Sequence, residues 1–462
     1  MISAANRRPR LNGSSRLLTV FLLLLLSLFA CGTAKQTTTT YPAGPQPEKY
    51  PPHKKKEEKN ENPPVVSGPT HPKQTKDTVP PPATVDDTFV PEARLAMRPV
   101  RVAILLPFLS DRFDPSAESV PPKSHIALQF YTGFRMALDE AGDDLAIDLH
   151  VLDTKADRST TEQLLQRPVV RDAHIIIGPY RKSNAVLVAQ QAVRSGQIMC
   201  APFASIPRAP AGKGVILETA PGLDTYMERI LAFASKDPSR KIYIVKRNNG
   251  ADDRPVAALR RAKEALSIFQ PVVELAVESS DLSFEDLHLK DSLSITPGAF
   301  FIVPAWKDPN YISSIVRKIY VSRDPESDEL PTVIGLPQWL SFKNLDFQKL
   351  IGLNTFIPSA DVVVHTPQTR QFAAAYFEQY GALPAKYAYR GYDLGRYLVR
   401  FIRANSTGTW KIPDDSALFM EYHFDGTDAE GVPIRPGQNH FRNISVKMYR
   451  LEDFQLKEVK DF

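Results

Sequence analysis

With 462 residues, 43% of them hydrophobic and 24% charged, the chain has the apolar content for a sizeable core and the length for two or three domains, and it is too polar to be a membrane bundle. The net charge of +5 arises from 57 basic and 52 acidic residues that are interspersed through the folded part. No basic arm gathers, so nucleic acid is not implied as a partner.

At the N-terminus, Arg7, Arg8, Arg10 and Arg16 precede an apolar run from Leu17 to Ala30, roughly fourteen residues where a spanning helix needs ~20. A basic region, a short apolar region and the small residue Ala30 before Cys31 describe an export signal over residues 1–30. Leu28-Phe29-Ala30-Cys31 resembles the lipobox of bacterial lipoproteins, which implies that Cys31 becomes the lipid-modified first residue; Phe29 departs from the small or β-branched residue usual there. An ordinary thiol is the alternative reading of Cys31. Cys200, in "QIMCAPF", reads as a small core residue, and with Cys31 lipidated no disulfide forms within the chain.

Residues 31–97 are rich in Thr, Pro, Lys and Glu, have no aliphatic periodicity and cannot bury a core. Proline stiffens such a tether, and at ~3.1 Å per residue it reaches on the order of 100 to 200 Å. The block Lys54 to Lys59 reads as solvated charge or as a headgroup or cell-wall contact.

After the tether, "RVAILLPFL" (Arg101 to Leu109) is a continuous apolar run of the kind found in buried parallel strands. In "IALQFYTGFRMALDEAG", Phe130, Phe134, Ala137, Leu138 and Ala141 recur at helical spacing. Strand "AIDLHVLDT", helix "TTEQLLQR", strand "AHIIIGP", helix "NAVLVAQQAVRSG" and strand "QIMCAPF" follow, a βαβαβ series that implies a parallel sheet covered on both faces. A second series of similar order begins at Leu223 and runs through "KIYIVKRN", "PVAALRRAKEALSIF", "VVELAVES", "AFFIVPAW", "YISSIVRKIYVS" and "PTVIGLP". From about Thr355 come an extended segment, two helices ("QTRQFAAAYFEQYG" and "KYAYRGYDLGRYLVRFIRAN") and an expected antiparallel pair, "LFMEYHFDG" with "NISVKMYRL". These pieces are too few for a third domain and return to the first two.

This arrangement resembles the type I periplasmic binding protein superfamily, related to branched-chain amino-acid receptors, over roughly Arg98 to Phe462. Its local signals are "VAILLPF" with "FYTGFRMALDEA", "IIIGPYRKSNAVLVA", "CAPFASIPR", "ETAPGLDTYMERILAFA" and "FEQYGALPAKYAYRGYDLGRYL", in order. The resemblance implies an α/β fold of two Rossmann-like lobes with parallel sheets joined by crossover segments. The expected division is 98–222 plus about 360–405 for the N-terminal lobe, and 223–359 plus about 406–462 for the C-terminal lobe. Gly391-Tyr392-Asp393 reads as structural, glycine for a tight helix start and Asp393 in the first helical turn.

Ligands of open parallel sheets bind beyond the carboxyl ends of the strands, where helix N-termini offer free N–H groups. That rule selects Ser183, Asn184, Ala204 and Ser205 in the first lobe and Trp306, Gln338 and Trp339 in the second. Ser183 reads either as an N-cap alone or as a cap that also touches ligand. The two tryptophans are cleft walls or packing between lobes. Amino-acid receptors of the resembled family hold the ligand ammonium with an acid in the second lobe; "GLPQW" offers Gln338 there, so a plain α-amino acid is disfavoured as ligand. Arg181 and Lys182 suit an anionic partner or are solvated charge.

No nucleophile elbow, zinc motif, phosphate-binding Gly-rich loop or Cys-x-x-Cys pair occurs, and the nine histidines are scattered. The chain is therefore not expected to be an enzyme or to need a cofactor or metal. Two functions fit. One is a lipid-anchored solute receptor that closes on a small molecule and serves an ABC transporter permease. The other is an outer-membrane scaffold or regulator that contacts a cell-wall synthase, as some lipoproteins of this fold do. Gly32 after Cys31, without an acidic run, resembles lipoproteins of the outer membrane facing the periplasm.

Overall fold

A computed structural model describes residues 99–460 apart from 115, 117–119, 143–144, 207–211, 278–297, 324–325, 328, 408–409 and 436. The signal, Cys31 and the tether lie outside the described residues.

The first series forms β1 (Val100–Leu106), α1 (Pro122–Glu140), β2 (Ile147–Asp153), α2 (Arg158–Gln166), the short α3 (Pro168–Arg171), β3 (Ile175–Ile177), α4 (Lys182–Ser195), β4 (Ile198–Ala201) and β5 (Val215–Glu218). Its sheet is parallel in the order β2-β1-β3-β4-β5. Alternation sorts each strand between two cores. Val102, Ile104, Ile177 and Cys200 face α1, while Ala103, Leu105, Ile176 and Met199 face α2 and α4. Burial pushes the Cys200 thiol up to about 12, so it stays an inert core residue. Helix ends follow local chemistry: Asp157 caps α2 through Thr160 N–H at 2.7 Å, and Gly196 closes α4 at φ 71°.

The second series repeats the plan with α5 (Leu223–Ala234), β6 (Ile242–Arg247), α6 (Asp253–Ala265), β7 (Val272–Val277), β8 (Phe300–Ile302), α7 (Pro309–Ser322), β9 (Thr332–Ile334), α8 (Phe347–Gly352) and β10 (Phe356–Ser359). The parallel order is β7-β6-β8-β9-β10, the same 2-1-3-4-5 winding as the first sheet.

The remainder is α9 (Pro367–Tyr380), α10 (Lys386–Ala404), β11 (Asp415–Ser416), β12 (Glu421–Tyr422), β13 (His440–Arg442), β14 (Lys447–Glu452) and β15 (Gln455–Glu458). Here the structure departs from expectation. The anticipated antiparallel pair is reduced to a single bridge, Phe424 with Asn443: β12 pairs with β11, whereas β14 pairs antiparallel with β10 and β15. β13 joins the first sheet beside β5, and Trp410, Ile412, Met420 and Tyr422 pack in the first lobe's core. The segment from 410 to 442, assigned above to the second lobe, thus belongs with the first, and the chain crosses between lobes near 219–222, 360–366 and 443–446.

Gly391 and Asp393 also differ from their expected roles. Both lie inside α10, which starts at Lys386. At Gly391 a Cβ would lie 1.9 Å from the Phe130 carbonyl oxygen, and at Gly133 it would lie 1.9 Å from the Ala388 carbonyl oxygen, so α1 and α10 cross backbone to backbone. Asp393 is fully buried and accepts N–H groups of Leu418, Phe419 and Met420 at 3.0, 2.8 and 2.7 Å. Burial pushes its carboxyl up to about 7 against the pull of those donors. Replacing Gly391 by Ala is expected to cost about 3 kcal/mol in urea unfolding, through overpacking of this crossing. Gly381→Ala, with nothing within 4 Å of its Cβ and φ +65°, should cost ~1 kcal/mol; equal costs would remove the crossing as a constraint.

Candidate ligand site between the lobes

The carboxyl ends of both sheets meet at a pocket of about 200 Å³. From the first lobe it takes Ser205, past the end of β4, and from the first crossing Pro221 and Gly222. The first turns of α5 add Leu223, Tyr226 and Met227, and the second lobe contributes Trp306, Leu336, Pro337 and Gln338 from the ends of β8 and β9. Gly222 caps α5 without a side chain, so the first N–H groups of that helix have no side-chain acceptor. The Ser205 hydroxyl lies beside it, 3.4 Å from where a Cβ on Gly222 would sit.

The Trp306 loop is braced from below. Arg247, at the end of β6, grips Asp252 with two bonds of 3.0 and 2.6 Å and donates to Asp308 at 3.3 Å. Asp308 in turn caps α7 through Tyr311 N–H at 3.1 Å. The Trp306 ring is half-buried, with the Arg254 guanidinium 5.3 Å from its centroid.

Behind the pocket, Arg390 of α10 ties the second crossing to the first lobe. It donates to Pro202 O at 3.1 Å and to the Asp361 carboxylate, which Lys386 also approaches at 3.7 Å. Its guanidinium lies 5.9 Å from the centroids of Phe203 and Tyr387. Tyr226 meets the same crossing, its oxygen bonded by the backbone of Ala360, and burial, with the Asp361 carboxylate adding, holds its phenol well above the usual value.

Of the residues selected from sequence, Ser205, Trp306 and Gln338 come together in this pocket. The others do not. Asn184 is buried and donates to Asp157 O at 3.0 Å and Thr161 Oγ1 at 2.9 Å, which fastens α2 to α4. Ser183 is exposed inside α4, whose N-cap is Arg181, so it does not cap the helix. Ala204 is buried, and Arg181 and Lys182 are exposed away from the pocket lining. Trp339 is fully buried: a 3-10 turn over Pro337–Ser341 folds its ring onto Gly335, and Nε1 donates to Ala305 O at 2.9 Å. Sequence reasoning missed Tyr226 and the start of α5; the Pro221-Gly222 break before an apolar helix was the available signal. Among the described residues no group of His, Cys, Asp and Glu is arranged to hold a metal, and no helix is long and apolar enough to cross a membrane.

Similar solved structures share this two-lobed plan. A Rhodospirillum rubrum protein assigned to branched-chain amino acid ABC transport superposes with a TM-score of 0.54 at 14% identity, over 78% of this chain and 99% of that chain. A branched chain amino acid ABC transporter periplasmic ligand-binding protein from Burkholderia xenovorans gives 0.53 at 11% identity, over 78% and 94%. This chain has the type I periplasmic binding protein fold. An ABC transporter substrate-binding protein from Desulfitobacterium hafniense shares it with a TM-score of 0.50 at 13% identity, over 78% and 99%. No family model and no curated protein matches the chain. Within the type I fold, the pocket sits where the strand-end rule locates ligands, at the carboxyl ends of both sheets.

Proposed function

We propose that this protein is an extracytoplasmic solute-binding protein, anchored to lipid through Cys31, that holds a small molecule between its lobes and performs no covalent chemistry. The observation that carries the reading is the pocket at the strand ends of both lobes, where a hydroxyl (Ser205), an amide (Gln338), an indole face (Trp306) and the uncapped start of α5 converge. A few polar groups set into an apolar lining is the usual composition of a solute site. The Burkholderia and Desulfitobacterium proteins of the same fold are described as ligand- or substrate-binding proteins of ABC transporters, and delivery to such a transporter is the role we assign here. The three crossings supply the hinge through which the lobes open and close.

A second reading, an outer-membrane scaffold for a cell-wall enzyme, draws on the pocket's volume, about 200 Å³ against roughly 300–1,000 Å³ for drug-sized sites. A thermal-shift screen of the full chain against a metabolite library separates the two. A hundredfold excess of ligand over Kd adds about 2.7 kcal/mol and raises Tm by a few degrees. Trp306→Ala is expected to abolish that shift with little change in the unliganded Tm, since its ring is half-exposed, whereas Trp339→Ala should cost about 3–5 kcal/mol. A blank screen favours the scaffold. For the anchor, fatty-acid labelling in cells is expected in the natural chain and not in Cys31→Ser; equal labelling would move the anchor elsewhere.

A further inference from the structure

We infer that the solute is an uncharged molecule about the size of a single ring, with one apolar face and one hydrogen-bonding edge; this rests on the solute-binding reading. Among the described residues, the polar side chains of the lining are Ser205, Tyr226 and Gln338, a hydroxyl, a phenol and an amide, and the rest is apolar or glycine apart from the Trp306 indole N–H. Burial keeps Tyr226 a neutral phenol. A solute bearing a carboxylate, an ammonium or both would leave water for a lining without a counter-ion.

Two charges beside the pocket, among the described residues, are already engaged. Asp361 is held by Arg390 and Lys386. Arg254 is not in the lining and stacks on the Trp306 ring. Among the described residues, the start of α5 would attract an anion, yet Asp224 lies in its first turn, paired with Arg261 on α6, and offsets the helix dipole. The free N–H groups of that turn therefore serve a neutral acceptor, a carbonyl or hydroxyl oxygen, better than an ion. Gln338 and Ser205 can each donate and accept, which matches an amide or alcohol edge. The apolar side of the solute lies on Trp306, Leu336 and Met227.

The test uses the full chain and probes of one shape that differ in charge: benzamide and benzyl alcohol (neutral), benzoate (anion) and benzylammonium (cation), with L-leucine as a zwitterion, followed by saturation-transfer NMR titration. The neutral pair is expected to bind saturably and to lose binding in Trp306→Ala. The charged probes should bind about a hundredfold or more weakly. Gln338→Glu, a change at an exposed side chain, is expected to raise benzylammonium affinity about tenfold, because it supplies the missing counter-charge. Benzoate, benzylammonium or leucine binding as tightly as the neutral pair, with the same dependence on Trp306, would overturn the inference and leave solute binding standing. Silence from every probe would overturn it as well, and solute binding itself falls only if the metabolite screen is also blank.

Discussion

The close crossing of α1 and α10 is the contact on which the arrangement of this protein depends. Gly133, Gly391 and Gly395 lie where the two backbones approach, and a Cβ at any of them would meet a neighbouring carbonyl or Ala137 within 3 Å. α10 belongs to the part of the chain that has already visited the second lobe, so the crossing brings that late segment back onto the first sheet. Two consequences follow from one placement. Asp393 reaches the N–H groups of 418–420 and fixes the path towards β13, and Arg390 reaches Asp361 and Pro202 beside the pocket.

The pocket is therefore assembled from segments far apart in sequence. Ser205 depends on the end of β4, Tyr226 on the second crossing, and Trp306 on a loop held by Arg247, Asp252 and Asp308. Charge lies around the site rather than in it: the ion pairs set the geometry, and the lining itself offers uncharged donors and acceptors. Such a division lets a rigid electrostatic frame support a site whose affinity rests on stacking and neutral hydrogen bonds.

Much of this was legible in the residues. The apolar runs from Val100 to Leu106 and from Ile242 to Val245 mark buried parallel strands, and the helical spacing of Phe130, Phe134 and Ala137 marks α1. What was not legible was set by partners distant in sequence. β5 and β13 are only four and three residues long, too short for a periodic signal, and they are strands because they pair with β4 and with each other. The segments ending in β12 and β14 look alike as halves of a hairpin, yet β14 is claimed by β10 of the second sheet. Trp306 and Trp339 follow similar strand ends; a single 3-10 turn buries Trp339 and leaves Trp306 in the pocket. Gly391 and Asp393 read as a helix start because the close approach of α1 has no mark in their own neighbourhood.

The central claim is that the inter-lobe pocket holds a small solute, and native mass spectrometry of the full chain purified without denaturation tests it most directly. A small-molecule adduct on the natural chain that is missing from Trp306→Ala is the predicted result. Identical, unadorned masses for both, before and after incubation with a cell metabolite extract, would contradict it.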